Sequence, residues 1–246
     1  MLTMTGNSAK LYCINWIDAY MQQRDSDSPV HILDSGSGTS AIFSDLLAKY
    51  PHLHYTGIEP SDVACDVARK TLPENRATII NAYAYEIADL VDRAHFDIIL
   101  SFSVMEHVVQ RQRYLDGIAA VMHPDSHCLI NYDAGHFIYP KHNKERIKNV
   151  VGQILALVGV ERYYQRFVKE ADFRAMVAQA GLTIEEALSF NTSMKGIHKS
   201  VPPEHQEAHL QRWLDYEMWL NDIGMTYVDE DANTWLTRNF ILKKKR

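Results

Sequence analysis

Cysteine is scarce in this chain of 246 residues. There are three, Cys13, Cys65 and Cys128, scattered with no close pair. That spacing excludes a metal-ligand motif, and a disulfide framework would not leave an odd thiol, so reduced, mostly buried cysteines of a cytoplasmic protein are expected. No basic segment followed by an apolar core opens the chain, and no secretory signal is expected. The apolar stretch Val150–Val160 is interrupted by Gln153 and is too short to cross a bilayer. Positive charge is also sparse. The net charge is −6, and the single cationic run, Lys243-Lys244-Lys245-Arg246, reads as a solvated tail. Nucleic acid and anionic membranes are therefore poor candidates as main partners. Repeats, low-complexity tracts and zinc-type clusters are missing as well, and no metal is expected.

What is present is a regular alternation. An apolar fraction of 46% suits a folded globular protein. Residues 8–22 place Leu11, Ile14, Ile17 and Met21 at helical spacing. Strands are expected at 30–33, 54–60, 77–82, 96–104 and 126–133, with helices at 40–50, 61–72, 84–92 and 110–122 between them. The fourth strand, "FDIILSFSV", is almost continuously apolar, as a strand buried on both faces should be. Short connections between alternating strands and helices predict an α/β fold with a doubly wound, Rossmann-like sheet, whose ligands bind beyond the carboxyl ends of the strands. After residue 133 the pattern changes. One or two helices are expected within 134–166, a helix at 169–180, an alternating strand at 182–190, a helical insert within 191–233 and a last strand at 234–244.

The stretch "VHILDSGSGTSAIF" (30–43) ends its apolar run in Asp34, followed by Gly36 and Gly38. The glycines permit a tight turn and let a ligand approach the backbone. Glu59 ends the second strand, and an acid there suits the two hydroxyls of a ribose. Gly36-x-Gly38-x-x-Ala41 satisfies the dinucleotide fingerprint formally. A pyrophosphate does not favour the carboxylate of Asp34 beside the bend, whereas a ligand carrying an ammonium and a sulfonium does.

On "LDSGSGTS", "TGIEPS", "FDIILSFSVMEHV" and "HPDSHCLINYD", the chain resembles the class I S-adenosylmethionine-dependent methyltransferases. The likeness covers residues 30–133 in order and, more loosely, 167–190 and 234–245. It implies a seven-stranded sheet, mostly parallel with an antiparallel last strand, and S-adenosyl-L-methionine as cofactor. By that resemblance Asp34, Gly36 and Gly38 frame the methionyl part, and Glu59 holds the ribose with Pro60 beside the adenine. Asn81, Ala82 and Tyr83 line the adenine edge, Ser101 offers its carbonyl to the ammonium, and Phe102 packs nearby. Three departures stand out. Ser40 replaces the third glycine, Asn81 replaces a frequent acid, and some forty residues separate the last two strands.

The domain reading follows: an N-terminal helical cap segment at 1–29, a cofactor-binding core at 30–133, helical inserts at 134–166 and 191–233, and the remainder of the core at 167–190 and 234–246. Methyl transfer needs an aligned nucleophile, water excluded, and a base where the nucleophile carries a proton. Candidates on the loops after strands four and five are His107, Asn131, Tyr132, Asp133 and His136. "EHV" also reads as a structural start to the next helix, and "NYDAGHF" as a loop bonding its own backbone. Tyr12, Trp16, Tyr139, Tyr163, Tyr164, Trp213, Tyr216 and Trp219 are available to line a lid or to form its core. The function expected is transfer of a methyl group from S-adenosylmethionine to an oxygen or nitrogen of a small metabolite. The alternatives are cyclisation of S-adenosylmethionine to azetidine-2-carboxylate with loss of methylthioadenosine, and non-catalytic binding of the nucleoside.

Overall fold

A computed structural model describes residues 7–25, 27–133, 143–158, 160–161, 164–191, 194–225 and 237–245. Helix α1 (Ser8–Gln22) is followed by β1 (Val30–Ser35), α2 (Phe43–Lys49), β2 (Leu53–Ile58), α3 (Asp62–Thr71) and β3 (Ala77–Ile80). A 3-10 turn (Ala84–Glu86) leads into α4 (Ile87–Leu90), β4 (Phe96–Phe102), α5 (Arg111–Val121) and β5 (Met122–Asp133). Then come α6 (Asn143–Ala156), α7 (Glu170–Gln179), β6 (Leu182–Phe190), α8 (Met194–Ser200), α9 (Pro203–Asp222) and β7 (Thr237–Lys244).

The seven strands form one sheet in the order β3-β2-β1-β4-β5-β7-β6. The pairs β3·β2, β2·β1, β1·β4 and β4·β5 are parallel, and β7 runs antiparallel to both β5 and β6. Alternating strand residues build two cores. Leu33, Ile99, Ile130 and Phe240 face α5 and α7, while Ile32, Ile98, Leu129 and Ile241 face α1 and α2. Full burial of such apolar side chains contributes about 1.5–3 kcal/mol each. Helix α1, expected as a cap segment, lies on a sheet face with Cys13, Ile14, Ile17 and Met21 buried, and its Ala9 and Leu11 also pack with Leu210 and Leu214 of α9. All three cysteines are buried and unpaired.

Several boundaries differ from the expectations. Helix α2 starts at Phe43 instead of Ser40, because Ser40 sits at φ +54 outside the helical region. Strands β3 and β4 stop two residues early. The expected break at "HPD" falls inside β5, where Phe96 pairs with Met122 and the register then shifts to Ile98 with His127. Ser126 organises that irregularity, its hydroxyl donating to the Phe96 carbonyl (2.6 Å) and accepting from His123 N–H (2.8 Å). The insert between β6 and β7 carries a second helix, α8, that periodicity did not resolve. Among the described residues, no helix is long and apolar enough to cross a membrane.

Candidate cofactor and active site

The carboxyl ends of β1, β2 and β4 converge on the glycine bend. Gly36 and Gly38 take φ +76 and +56, and a Cβ on Gly36 would stand 2.4 Å from Cγ2 of Val104. The bend is tied to β2 by Gly36 N–H and Ser37 N–H, which both donate to the Ile58 carbonyl (2.8 and 3.0 Å). Ser40, in the place of the third glycine, pays a left-handed backbone cost of order 1 kcal/mol. Its hydroxyl lies 2.9 Å from the Tyr55 oxygen, which anchors the turn.

Asp34 is 3% exposed. Tyr55 donates its hydroxyl to Oδ2 at 2.8 Å, while Oδ1 is buried and meets no partner among the described residues. Burial pushes the carboxyl up to about 7. A buried, half-satisfied carboxylate beside a glycine bend matches a ligand that brings its own positive charge. Glu59 differs. Its Oε2 accepts from Gly38 N–H and its Oε1 from Ser61 N–H, both at 2.9 Å, so one side chain joins the bend to the start of α3. Each carboxylate oxygen keeps a second lone pair for a diol.

Two adjoining clefts share Gly36. The larger, about 660 Å³, is lined by Glu59, Pro60, Tyr83, Ser103, Val104, His107 and Glu161 among others. The smaller, about 290 Å³, takes in Asn7, Lys10, Asp34, Gly36 through Ile42 and Phe102. Together they suit a nucleoside with a charged tail, one end against Glu59 and the other between Asp34 and Lys10. Asn81 supports this arrangement by donating Nδ2 to the Glu59 carbonyl (3.0 Å). Neither Asn81 nor Ala82 is among the lining residues, and Ser101 is fully buried, in register with Ser35 on one side and Ile130 on the other.

The candidates after β5 do not gather in one place. Strand alternation sends Asn131 and Tyr132 to opposite faces. Asn131 donates to Asn239 Oδ1 (2.5 Å) beneath α1, whereas Tyr132 is packed between Phe173 and Phe240. Asp133 N–H reaches Glu106 Oε1 at 3.5 Å. Glu106 is itself 2% exposed, and burial pushes its carboxyl up to about 7. His136, Tyr139 and Tyr163 lie outside the described residues. His107 does face the larger cleft. Its Nδ1–H donates to the Tyr164 carbonyl (3.1 Å), and burial holds the ring below the usual imidazole range, so the neutral form with a basic Nε2 prevails. Beside it Glu161 accepts from Val109 N–H at 2.6 Å. Sequence reasoning missed Lys10, Ser103 and Glu161. Ser103, at φ +60, follows a strand directly, and no periodic signal marks such a position.

This sheet order is the one expected from the resemblance to class I S-adenosylmethionine-dependent methyltransferases, and acids stand at the ends of β1 and β2. Residues 33–128 match the methyltransferase-domain family. The match and the fold support a class I S-adenosylmethionine-dependent methyltransferase, with S-adenosylmethionine as its cofactor. It is 28% identical over 184 residues to a ubiquinone biosynthesis O-methyltransferase of Coxiella burnetii, covering 73% of this chain and 75% of that one. The fold is also that of phosphoethanolamine N-methyltransferase 2 of Haemonchus contortus, solved with phosphomonomethylethanolamine and S-adenosylhomocysteine (TM-score 0.61, 13% identity, 95% of this chain and 53% of that one). The plantazolicin methyltransferase, solved with S-adenosylhomocysteine, is similar too (TM-score 0.57, 15% identity, 99% and 86%).

Proposed function

We propose that this methyltransferase acts on a hydroxyl or amine of a small metabolite, with His107 as the group that takes the proton. The carrying observation is that His107 lines the same cleft as Glu59, Pro60 and Gly36, with its Nδ1 engaged by the Tyr164 carbonyl. S-adenosylmethionine supplies a methyl group already activated by the sulfonium. The chain's own tasks are therefore alignment, exclusion of water and acceptance of a proton. Glu59 would hold the ribose, Asp34 the ammonium and Lys10 the carboxylate of the methionyl end. Pro60 and Tyr83 would bound the adenosine. The likeness to an O-methyltransferase supports a hydroxyl acceptor, and a hydroxyl is the acceptor that most needs a base. The comparisons give no support to the cyclisation reading.

The test is to incubate the purified protein with S-adenosylmethionine, alone and with a small-molecule cell extract, and to identify products by mass spectrometry. S-adenosylhomocysteine should form only with the extract, alongside one metabolite heavier by a methyl group. Methylthioadenosine formed without any acceptor would overturn the proposal.

A further inference from the structure

The first turn of α1 is held from two directions. Ser8 donates its hydroxyl to Oε2 of Glu217 on α9, and Oε1 of Glu217 accepts from Asn191 N–H (2.7 Å) at the end of β6. The next residue, Ala9, is fully buried, and its carbonyl accepts from Asn239 Nδ2 of β7 at 2.7 Å. Asn239 is directly opposite Asn131 in the β5·β7 ladder, and the two amides bond each other at 2.5 Å. The preceding pair on that face, Leu129 and Ile241, is apolar. Packing alone would continue with an apolar pair, since buried amides stabilise only when their polar atoms are met.

These bonds fix a particular face of the helix. Asn7 and Lys10 stand three apart and share a side of α1. Asn7 caps the helix by accepting from Lys10 N–H at 3.2 Å, and both residues line the cleft that contains Asp34 and the glycine bend. The same network reaches the neighbouring cleft, because the Asn131 carbonyl accepts from Ser103 N–H at 2.7 Å.

We infer that Glu217 and Asn239 are positioning residues of the cofactor site, acting through Ser8 and Ala9 to set Lys10 against Asp34. The insert between β6 and β7 then serves as a buttress for the cofactor groove through α9. This inference rests on the reading of that groove as the S-adenosylmethionine site, and Lys10 as the group facing the ligand's carboxylate.

A double-mutant cycle tests it, with S-adenosylhomocysteine as the probe in titration calorimetry on the full chain. Ser8→Ala and Asn239→Ala, neither of which alters a lining residue, should each weaken binding about five- to tenfold, and Lys10→Met by a similar factor. If the clamp works through Lys10, adding Ser8→Ala or Asn239→Ala to Lys10→Met should cost less than about twofold more. Losses that multiply in the double variants, or wild-type affinity in Ser8→Ala, would overturn the inference. Failure of the unaltered chain to bind the probe would instead remove the underlying groove assignment and the inference with it. Should Asn239→Ala not fold, Ser8→Ala carries the cycle alone, with its circular dichroism spectrum as the control.

Discussion

Tyr55 donates its hydroxyl to one oxygen of Asp34 across 2.8 Å, and the other oxygen, also buried, has no partner among the described residues. Burial outweighs that bond and pushes the carboxyl up to about 7. The ordinary aspartate value is about 3.9. In the ligand-free protein the folded state therefore keeps a proton that the unfolded chain has already lost. The associated stability is full below the ordinary value and is lost as pH rises through about 7. Cofactor binding should run the other way, because an ammonium favours the ionised carboxylate. Affinity for S-adenosylhomocysteine should rise from one unit below that value to one unit above it. Asp34→Asn should flatten the profile and cost about 1.5–3 kcal/mol at the alkaline end, the range for hydrogen bonds to charged groups. Calorimetric titrations across this range check both. A wild-type profile without slope would remove Asp34 from the binding group.

The two glycines of the bend should respond unequally to alanine. At Gly38 the new Cβ meets nothing within 4 Å, so only the left-handed φ matters, about 1–2 kcal/mol. At Gly36 the same cost is joined by a Cβ placed 2.4 Å from Val104 Cγ2. Overpacking of that kind adds about 1–3 kcal/mol. Denaturant unfolding should therefore rank Gly36→Ala below Gly38→Ala. Adding Val104→Ala to Gly36→Ala should recover part of the steric loss in the same unfolding measurement and none of the backbone cost. Equal destabilisation by the two alanines would contradict the close approach.

Much of this groove was legible before any coordinates. Asp34, the glycine bend and Glu59 lie at strand ends that periodicity marks clearly, and α1 and β6 run as their patterns predict. What stayed hidden depends on tertiary geometry. "NYDAGHF" looks like one polar cluster in the sequence, but a strand turns successive side chains to opposite faces, which separates Asn131 from Tyr132. Lys10 and Glu161 reach the clefts from segments distant in sequence, by packing that no local pattern encodes. Helix α1 reads as an ordinary amphipathic stripe, and nothing in its spacing reveals that its first turn is bonded from behind by β7 and α9.

Glu59 combines two roles that a pair of substitutions can separate. Its carboxylate fastens Gly38 to Ser61 through backbone hydrogen bonds, and the same oxygens would accept from the ribose. Glu59→Ala removes both, and cofactor affinity should fall by about 1–3 kcal/mol. Glu59→Gln keeps one acceptor but turns the other into a donor, which cannot serve an N–H. Its loss should be nearly as large in calorimetry while its thermal midpoint stays closer to wild type. Unchanged affinity in Glu59→Ala would refute the placement of the ribose.

His107 yields the prediction closest to the chemistry. Its ring is pushed below the ordinary imidazole range, chiefly by burial and against the opposing effect of the Tyr164 carbonyl. The folded pKa is depressed, so the base form is the majority species at neutral pH and is lost as pH falls through the shifted value. With a hydroxyl acceptor, kcat should then be level at neutral pH and decline on the acid side. His107→Asn puts an amide nitrogen where Nδ1 stands, keeping a donor for the Tyr164 carbonyl, but offers no base. It should lower kcat about 10²–10⁴-fold, the usual contribution of general-base catalysis, with little change in the KM for S-adenosylmethionine. His107→Ala should add a loss of cofactor affinity, because the ring forms part of the wall of the larger cleft. Steady-state kinetics across pH distinguishes these cases. An acid limb that persists unaltered in His107→Asn would assign the proton to another group, and the buried carboxyl of Glu106, held near 7, is the one to substitute next.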